Sequence, residues 1–241
     1  MDEATARRLN AINRDFYETT ADEFHITRAT PWRGWERLLT HVRGSLSVLD
    51  IGCGNGRFGV FLAEHGRLPL TYHGIDSSPK LLAFAQHSLT AIPGVTAKLE
   101  QRDIVDALLA DAASPFEGAR ADLVVLFGVM HHIPGAAQRA RLMRWLGACV
   151  KPGGILAFAC WRFLELPRFR ERIIPWDDET HIETGDHLLD WRRGMTAIRY
   201  CHFVDDDEHA ALIRASGLRE IDTYRADGES GDANRYSVLL A

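Results

Sequence analysis

The chain predicts an α/β fold, a doubly wound and mostly parallel seven-stranded sheet with an antiparallel terminal strand. Three observations predict it. Short apolar runs alternate with amphipathic helical stretches five times between Leu46 and Cys160, the rhythm of strands joined by right-handed crossover helices. Asp50-Ile51-Gly52-Cys53-Gly54-Asn55-Gly56 joins the first run to the first helix, and glycines at alternate positions let backbone amides approach a ligand at a helix N-terminus. Asp76 closes the second run, in His73-Gly74-Ile75-Asp76-Ser77. Two acids at adjacent strand ends, with bare backbone between them, describe a nucleoside-cofactor pocket at the carboxyl edge of a parallel sheet.

Taken in order, residues 4 to 20 read as a helix with Leu9, Ile12, Phe16 and Tyr17 at helical spacing. Pro31 interrupts, and Trp32 to Val42 resumes a helix. Leu46 to Ile51 is the first strand and Arg57 to His65 the first crossover helix. Leu70 to Asp76 is the second strand. Ser78-Pro79 caps a helix that runs to Leu89, since proline suits a first helical turn. Val95 to Gln101 is the third strand, and Ile104 to Leu109 a short helix. Asp122 to Phe127 is nearly all apolar, as a strand buried on both faces should be. Ala136 to Val150 is a helix, Pro152-Gly153-Gly154 a turn, and Ile155 to Cys160 the fifth strand.

Arg162 to Ile198 breaks the rhythm and reads as an insertion over the open edge of the pocket. Asp205 to Ser216 is a capped helix ending at Gly217. Leu218 to Tyr224 and Arg235 to Leu240 form a terminal strand pair.

Composition bounds the function. The chain has 241 residues, enough for one α/β domain or one domain with an insertion. The net charge of -5 supplies no global basic field for nucleic acid, although local basic surface can still bind it. Four cysteines form no C-x-x-C pair, which predicts a reducing compartment. Met1-Asp2-Glu3 begins no signal peptide, and the longest apolar stretch is too short to cross a bilayer. The expectation is a soluble, cytoplasmic protein with no membrane partner.

A nicotinamide dinucleotide needs G-x-G-x-x-G, and here the third glycine, Gly56, comes one position early. Asp50 would also repel a pyrophosphate. A cationic cofactor without phosphate fits better, and S-adenosylmethionine carries an ammonium and a sulfonium. At these residues the chain resembles the class I S-adenosylmethionine-dependent methyltransferases. Asp50, Gly52, Gly54 and Gly56 match their first motif, whose loop wraps the methionine moiety and sugar. Asp76 matches the acid that accepts from both ribose hydroxyls, with Ser77 beside it. Asp103 and Ile104 match the adenine site. Lys151-Pro152-Gly153-Gly154 matches the segment before the fifth strand, and Phe127 closes the fourth. The resemblance implies a Rossmann-like methyltransferase domain over 1–241, with residues 1–44 as a helical cap and 162–198 as an insertion over the acceptor pocket. It implies S-adenosylmethionine as cofactor and S-adenosylhomocysteine as product. No metal is needed: His181-Ile182-Glu183 lacks the P-C-x-x-C of a zinc deaminase.

Further residues are similar to those of the wobble-uridine tRNA carboxyl methyltransferases, which esterify 5-carboxymethyluridine in an anticodon. They are Thr27-Arg28-Ala29-Thr30-Pro31-Trp32, Val129-Met130-His131-His132, Gly185-Asp186 through Trp191, and Arg199-Tyr200-Cys201-His202-Phe203. The implied partner is tRNA. Eukaryotic members of that family also require a small zinc-binding subunit, and no residue of this chain establishes one.

An ionised carboxylate acceptor needs positioning rather than deprotonation. Arg28 and Arg199 are the candidates to hold it, because a guanidinium fork fixes a carboxylate's orientation. Arg28 has a rival role, gripping the cofactor's own carboxylate. His132 leaves the fourth strand, where it either acts as a general base or shapes the acceptor site. Trp161, just past the fifth strand, either stacks on a base or packs as core. The alternatives are a small-molecule O- or N-methyltransferase with the insertion as lid, a non-catalytic cofactor-binding module, and last a nicotinamide oxidoreductase.

Overall fold

The computed structural model of the protein describes residues 1–27, 30–110, 113–116, 118–177, 181–193 and 195–241, with backbone alone at 192, 193 and 195. Arg28 lies outside the described residues. The elements follow the chain as α1 (Glu3–Thr27), α2 (Gly34–Leu38), β1 (Leu46–Ile51), α3 (Arg57–Glu64), β2 (Leu70–Asp76), α4 (Pro79–Thr90), β3 (Val95–Gln101), α5 (Ile104–Leu109), β4 (Ala121–Phe127), α6 (Ala136–Ala148) and β5 (Val150–Trp161). Then come α7 (Pro167–Arg170), β6 (Ile173–Ile174), β7 (Asp186–Arg193), β8 (Met195–His202), α8 (Asp206–Ser216), β9 (Arg219–Ala226) and β10 (Asn234–Leu240).

Seven strands form the main sheet in the order β3-β2-β1-β4-β5-β10-β9. β1 through β5 pair in parallel, and β10 runs antiparallel between β5 and β9. The central strands are apolar throughout because each face meets its own helical layer. Val124 and Leu126 of β4 join Ile104, Leu142, Leu146 and Leu212 on the side of α5, α6 and α8. Leu123, Val125 and Phe127 join Trp35, Phe58, Phe61 and Leu82 on the side of α2, α3 and α4. Alternation along one strand thus feeds two cores. Chain order reverses between β1 and β4, and a cleft opens at the carboxyl ends of the strands there, where sheets of this topology bind ligands.

Local signals set most boundaries. Ser78 caps α4, its hydroxyl accepting from Leu81 N at 3.3 Å, with Pro79 in the first turn. Asp103 caps α5 through Val105 N and Asp106 N. Asp205 caps α8, and Gly217 ends it in the left-handed conformation.

Four expectations need correction. α1 does not stop at residue 20 but continues to Thr27. The apolar stripe lapses there, yet Phe24 packs edge-on against Tyr17 within the helix and His25 stacks on Phe84 of α4 at 3.9 Å, and these ring contacts hold the last turns. The helix expected over Trp32 to Val42 is regular only from Gly34 to Leu38. Pro152-Gly153-Gly154 is not a turn before the fifth strand. It lies within β5, where the ladder steps from Ala121↔Val150 to Leu123↔Ile155. The extra residues bond the chain end, Gly153 N to Ala241 O and Ala241 N to Gly154 O. α6 accordingly ends at Ala148, with Val150 already in the strand.

The segment expected as an insertion over 162–198 contains α7 and a separate sheet ordered β6-β7-β8, which runs on to His202. No described helix is long and apolar enough to cross a membrane. All four cysteines are free and buried.

Candidate active site

The cleft of about 650 Å³ is floored by the β1, β2 and β4 ends, roofed by α1 and walled on one side by β5, α7 and the β7–β8 hairpin. Its two ends differ in chemistry.

At one end lie Asp50, Gly52, Gly54, Asp76, Ser77, Asp103 and Ile104, all predicted cofactor residues. The glycine loop is fixed from below, with Gly52 N and Cys53 N both donating to Ile75 O. Gly52 has φ +73, and a Cβ there would fall 2.1 Å from Val129 Cγ2, so only glycine brings β1 this close to the β4 end. Gly54 N donates to Asp76 Oδ2 at 2.8 Å, and Ser78 N to Asp76 Oδ1 at 2.9 Å. Each carboxylate oxygen keeps a lone pair, the geometry two adjacent ribose hydroxyls require. Burial pushes the Asp76 carboxyl up, while the amides of Ser78 and Gly54 pull it back.

Asp50 is buried and receives the Tyr72 hydroxyl at 2.5 Å. Burial raises its carboxyl to about 7, Tyr72 opposing and the Asp76 charge adding to the rise. A cation in the cleft would relieve this pair of buried acids, so the residues fit an ammonium-bearing sulfonium and would disfavour a pyrophosphate. Asp103 Oδ1 caps α5, and its Oδ2 accepts from Asn10 Nδ2 of α1 at 2.8 Å. Ile104 is buried beside it.

Gly56 stands apart from the other predicted cofactor residues. It does not line the cleft; it starts α3 at φ +76, and a Cβ would meet Ala85 Cβ at 2.9 Å. Its glycine serves the packing of α3 on α4. Phe127 does line the cleft, within the cluster of Trp35, Phe58 and Tyr236.

The other end holds His131, His132, Trp161, Trp191 and Arg199. Arg199 is buried, its guanidinium enclosed by aromatic faces: Trp161 at 4.7 Å, Phe16 at 5.5 Å and Trp191 at 5.7 Å. Its Nε has no hydrogen-bond acceptor, and no carboxylate among the described residues pairs with it. β8 places it there. The cross-strand partners Leu189↔Arg199 and Trp191↔Ala197 share one face of the hairpin, while Tyr200 and His202 point to the other.

His132 is at the strand end as expected but is fully committed. Its Nδ1 lies 3.0 Å from Tyr200 O, an acceptor, so Nδ1 carries the proton. Its Nε2, 2.9 Å from the Tyr17 hydroxyl, is therefore the acceptor. Burial and the nearby Arg199 charge push this imidazole down to about 3. It is a neutral strut between α1, β4 and β8. A general base at His132 would have to give up one of these bonds, whereas shaping of the site uses them as they stand. His131 lines the same cleft, edge-on to Trp161 at 5.3 Å.

His131, His132 and Cys201 bring potential ligand atoms within 4.8 Å of one another, but both His132 nitrogens are engaged and burial raises the Cys201 thiol to about 11. A second such group, Glu183, Asp186 and His202, already has a cation: Arg139 binds Glu183 and Glu208.

The sequence reading missed residues of the roof and rim. Asn10 and Asn13 sit on the buried face of α1, where Asn10 holds Asp103 and Asn13 accepts from Tyr200 N at 2.9 Å. Two asparagines three apart beside Leu9 and Phe16 were the available signal, since buried amides mostly take partners, as Asn10 Nδ2 and Asn13 Oδ1 do here. Asp227, at φ +70, gathers Gly34 N, Asn234 Nδ2 and the Tyr236 hydroxyl at the mouth of the cleft.

The sequence profile of the methyltransferase domain family matches residues 49–156. The chain is 27% identical to the tRNA (carboxymethyluridine(34)-5-O)-methyltransferase of Macaca fascicularis over 160 residues, 66% of this chain and 21% of that protein. It thus spans about a fifth of that relative's length. It is 28% identical to the ubiquinone biosynthesis O-methyltransferase of Paraburkholderia phytofirmans over 78% of this chain and 70% of that one. An S-adenosylmethionine-dependent methyltransferase structure from Methanosarcina mazei shares the fold with a TM-score of 0.66, at 18% identity, over 85% of this chain and 96% of that one. The glycine loop between two acids, the strand order and the family match agree: residues 49–156 are a methyltransferase domain, the fold is that of S-adenosylmethionine-dependent enzymes, and S-adenosylmethionine is the cofactor the site fits.

Proposed function

We propose that the protein transfers the methyl group to a carboxylate, that of 5-carboxymethyluridine at the wobble position of a tRNA. The observation that carries this reading is Arg199: a buried guanidinium in an aromatic box, at the cleft, with no acid among the described residues to neutralise it. A buried cation without an anion is costly, and an acceptor carboxylate supplies the missing charge. One guanidinium is also the right strength, since a carboxylate gripped by two forks would lose nucleophilicity. The likeness to the tRNA relative supports the same acceptor.

The cofactor supplies an electrophilic methyl on a positively charged sulfur. Asp76 would hold the ribose, the Gly52–Gly54 loop the methionine moiety, and Asn10 would keep Asp103 oriented beside the adenine. Arg199 would hold one acceptor oxygen, while the Trp161 and Trp191 faces exclude water and leave the nucleophile less hydrated. Arg199 would leave the other carboxylate oxygen free to accept the methyl, and the electron pair of the broken C–S bond would stay on the cofactor's sulfur. No proton moves, which suits a site whose His132 is neutral and doubly bonded. The ester has no charge, so Arg199 loses its counter-ion and product leaves.

Transfer to a small-molecule hydroxyl is the second reading, favoured by the ubiquinone-pathway relative. A hydroxyl must be deprotonated, and His132 has no nitrogen left for that. Mass analysis of tRNA nucleosides from cells with and without the gene tests the choice. The reading expects a wobble methyl ester to disappear and its free acid to accumulate; unchanged tRNA nucleosides overturn it.

A further inference from the structure

The acceptor end of the cleft continues outward as a line of alternating rings and guanidinium groups. Trp161, which stacks on Arg199, meets Phe169 of α7 edge-on at 4.6 Å. Arg168 lies over the same Phe169 at 4.9 Å, and Arg172 lies 6.0 Å from it. Both arginines line the cleft mouth. Arg33 lines it as well, next to Gly34, whose N–H is tied to Asp227. Arg168 reaches the same loop, its Nη2 only 3.6 Å from where a Cβ on Gly228 would stand. Arg33 and Arg168 therefore both stand beside the β9–β10 loop.

These charges are poorly neutralised. Among the described residues no carboxylate pairs with Arg33 or Arg172, and the one ion pair of Arg168 is with Glu229, 94% exposed and 3.6 Å away. Solvent screens such a pair to little net value. Other arginines near the hairpin and the β9–β10 loop are closely matched: Arg162 with Glu165, Arg225 with Glu165, Arg139 with two glutamates. In a chain of net charge -5, three under-neutralised arginines around one opening form a local basic rim.

We infer that Arg33, Arg168 and Arg172 bind the backbone phosphates that flank a nucleotide whose base has entered the cleft. The inference rests on the RNA reading above and assigns its docking surface. A single-stranded loop suits it, because the base must be splayed away from its neighbours to reach Arg199 while the sugar-phosphate chain stays at the mouth. Aromatic faces on the path, Phe169 and Trp161, suit the planar base. A small carboxylate without phosphates would bind Arg199 and leave the rim empty.

The test compares the wild-type protein with Arg33→Gln, Arg168→Gln, Arg172→Gln and the triple variant. The probe is an RNA hairpin whose loop carries 5-carboxymethyluridine. Binding is followed by anisotropy from low to moderate salt, and methyl transfer by mass. Each single change should reduce the slope of log affinity against log salt by about 1, with the triple variant weakened at least about tenfold at low salt. The rise in KM should exceed any fall in kcat. S-adenosylhomocysteine affinity and thermal midpoint report that the variants fold. If wild type methylates the hairpin and the triple variant matches it in affinity, slope and KM, the rim assignment is wrong while the RNA reading stands. If wild type methylates the free nucleoside but neither binds nor modifies the hairpin, the RNA reading fails and takes the rim with it.

Discussion

Among the described residues no acid pairs with the buried Arg199, and on the proposed reading the acceptor carboxylate is its partner. That predicts an unusual pair of outcomes for Arg199→Met, which keeps the volume and removes the charge. A charge-assisted bond to the acceptor contributes about 1.5–3 kcal/mol, so kcat/KM should fall about 10- to 150-fold. Removing an unpaired buried cation should leave the thermal midpoint of the free protein level or higher. A midpoint several degrees lower would make Arg199 a structural residue and undo its role. Asp50 predicts a proton linkage. Burial holds its carboxyl near 7 in the empty cleft, and a cationic ligand favours the ionised form. S-adenosylmethionine binding should therefore strengthen as pH rises through about 7 and release a proton below it. Calorimetry at pH 6 in two buffers of different ionisation enthalpy reads that proton; identical heats would show that Asp50 does not couple to the ligand.

Among the elements, the β7–β8 hairpin is the one the acceptor end depends on. One face presents Arg199 and Trp191 to the cleft. The other is locked by charge: His202 Nδ1 to Asp186 and Nε2 to Glu208 of α8, each at 2.7 Å, with the Tyr200 hydroxyl on Asp186. Arg139 of α6 closes the set through Glu208 and Glu183, and its Nη1 donates to Ile133 O. The two carboxylate hydrogen bonds raise His202 above its usual 6.5 against the opposing effects of burial and Arg139. The stabilisation is thus complete below 6.5 and disappears as pH rises through the higher folded-state value. The backbone amides of Tyr200 and Cys201 should exchange faster, relative to those of β4, once that pH is passed. His202→Gln, which cannot ionise, should abolish this pH dependence. An unchanged pH profile in the variant would place the titrating group elsewhere.

At the scale of the whole molecule, the cleft is made by parts far apart in sequence. α1 roofs it through Asn10 to Asp103, Asn13 to Tyr200 and Tyr17 to His132, so one helix touches the α5 cap, the hairpin and the β4 end together. A ligand beneath that roof adds its binding free energy to the stability of the assembled fold. S-adenosylhomocysteine at about 100 times its Kd should add about 2.7 kcal/mol, or about 5–10 °C in Tm for a chain of this size. NADH should add nothing. Asp76→Ala removes the carboxylate that would accept from the ribose hydroxyls and should eliminate most of the S-adenosylhomocysteine shift; an undiminished shift would mean the ligand sits elsewhere.

β1, β2, β3 and α5 have the limits their residues predict, because apolar runs and caps such as Asp103 act locally. The cofactor end was readable for the same reason: it is built from consecutive residues at strand ends, whose place in the sheet follows from strand order. The acceptor end was not. Period-two alternation separates Arg199 from Tyr200 and His202, but which face looks into the cleft depends on how the hairpin docks on α6 and α8. The commitment of His132 came from Tyr17 and the Tyr200 carbonyl, and the need for glycine at Gly56 from Ala85. By itself the sequence determined the limits of the first three strands, the glycine loop and its two acids, since those depend on neighbours in the chain. Only the tertiary structure decided which charges are neutralised and which await a ligand, because pairing and burial depend on groups that the chain brings together from a distance.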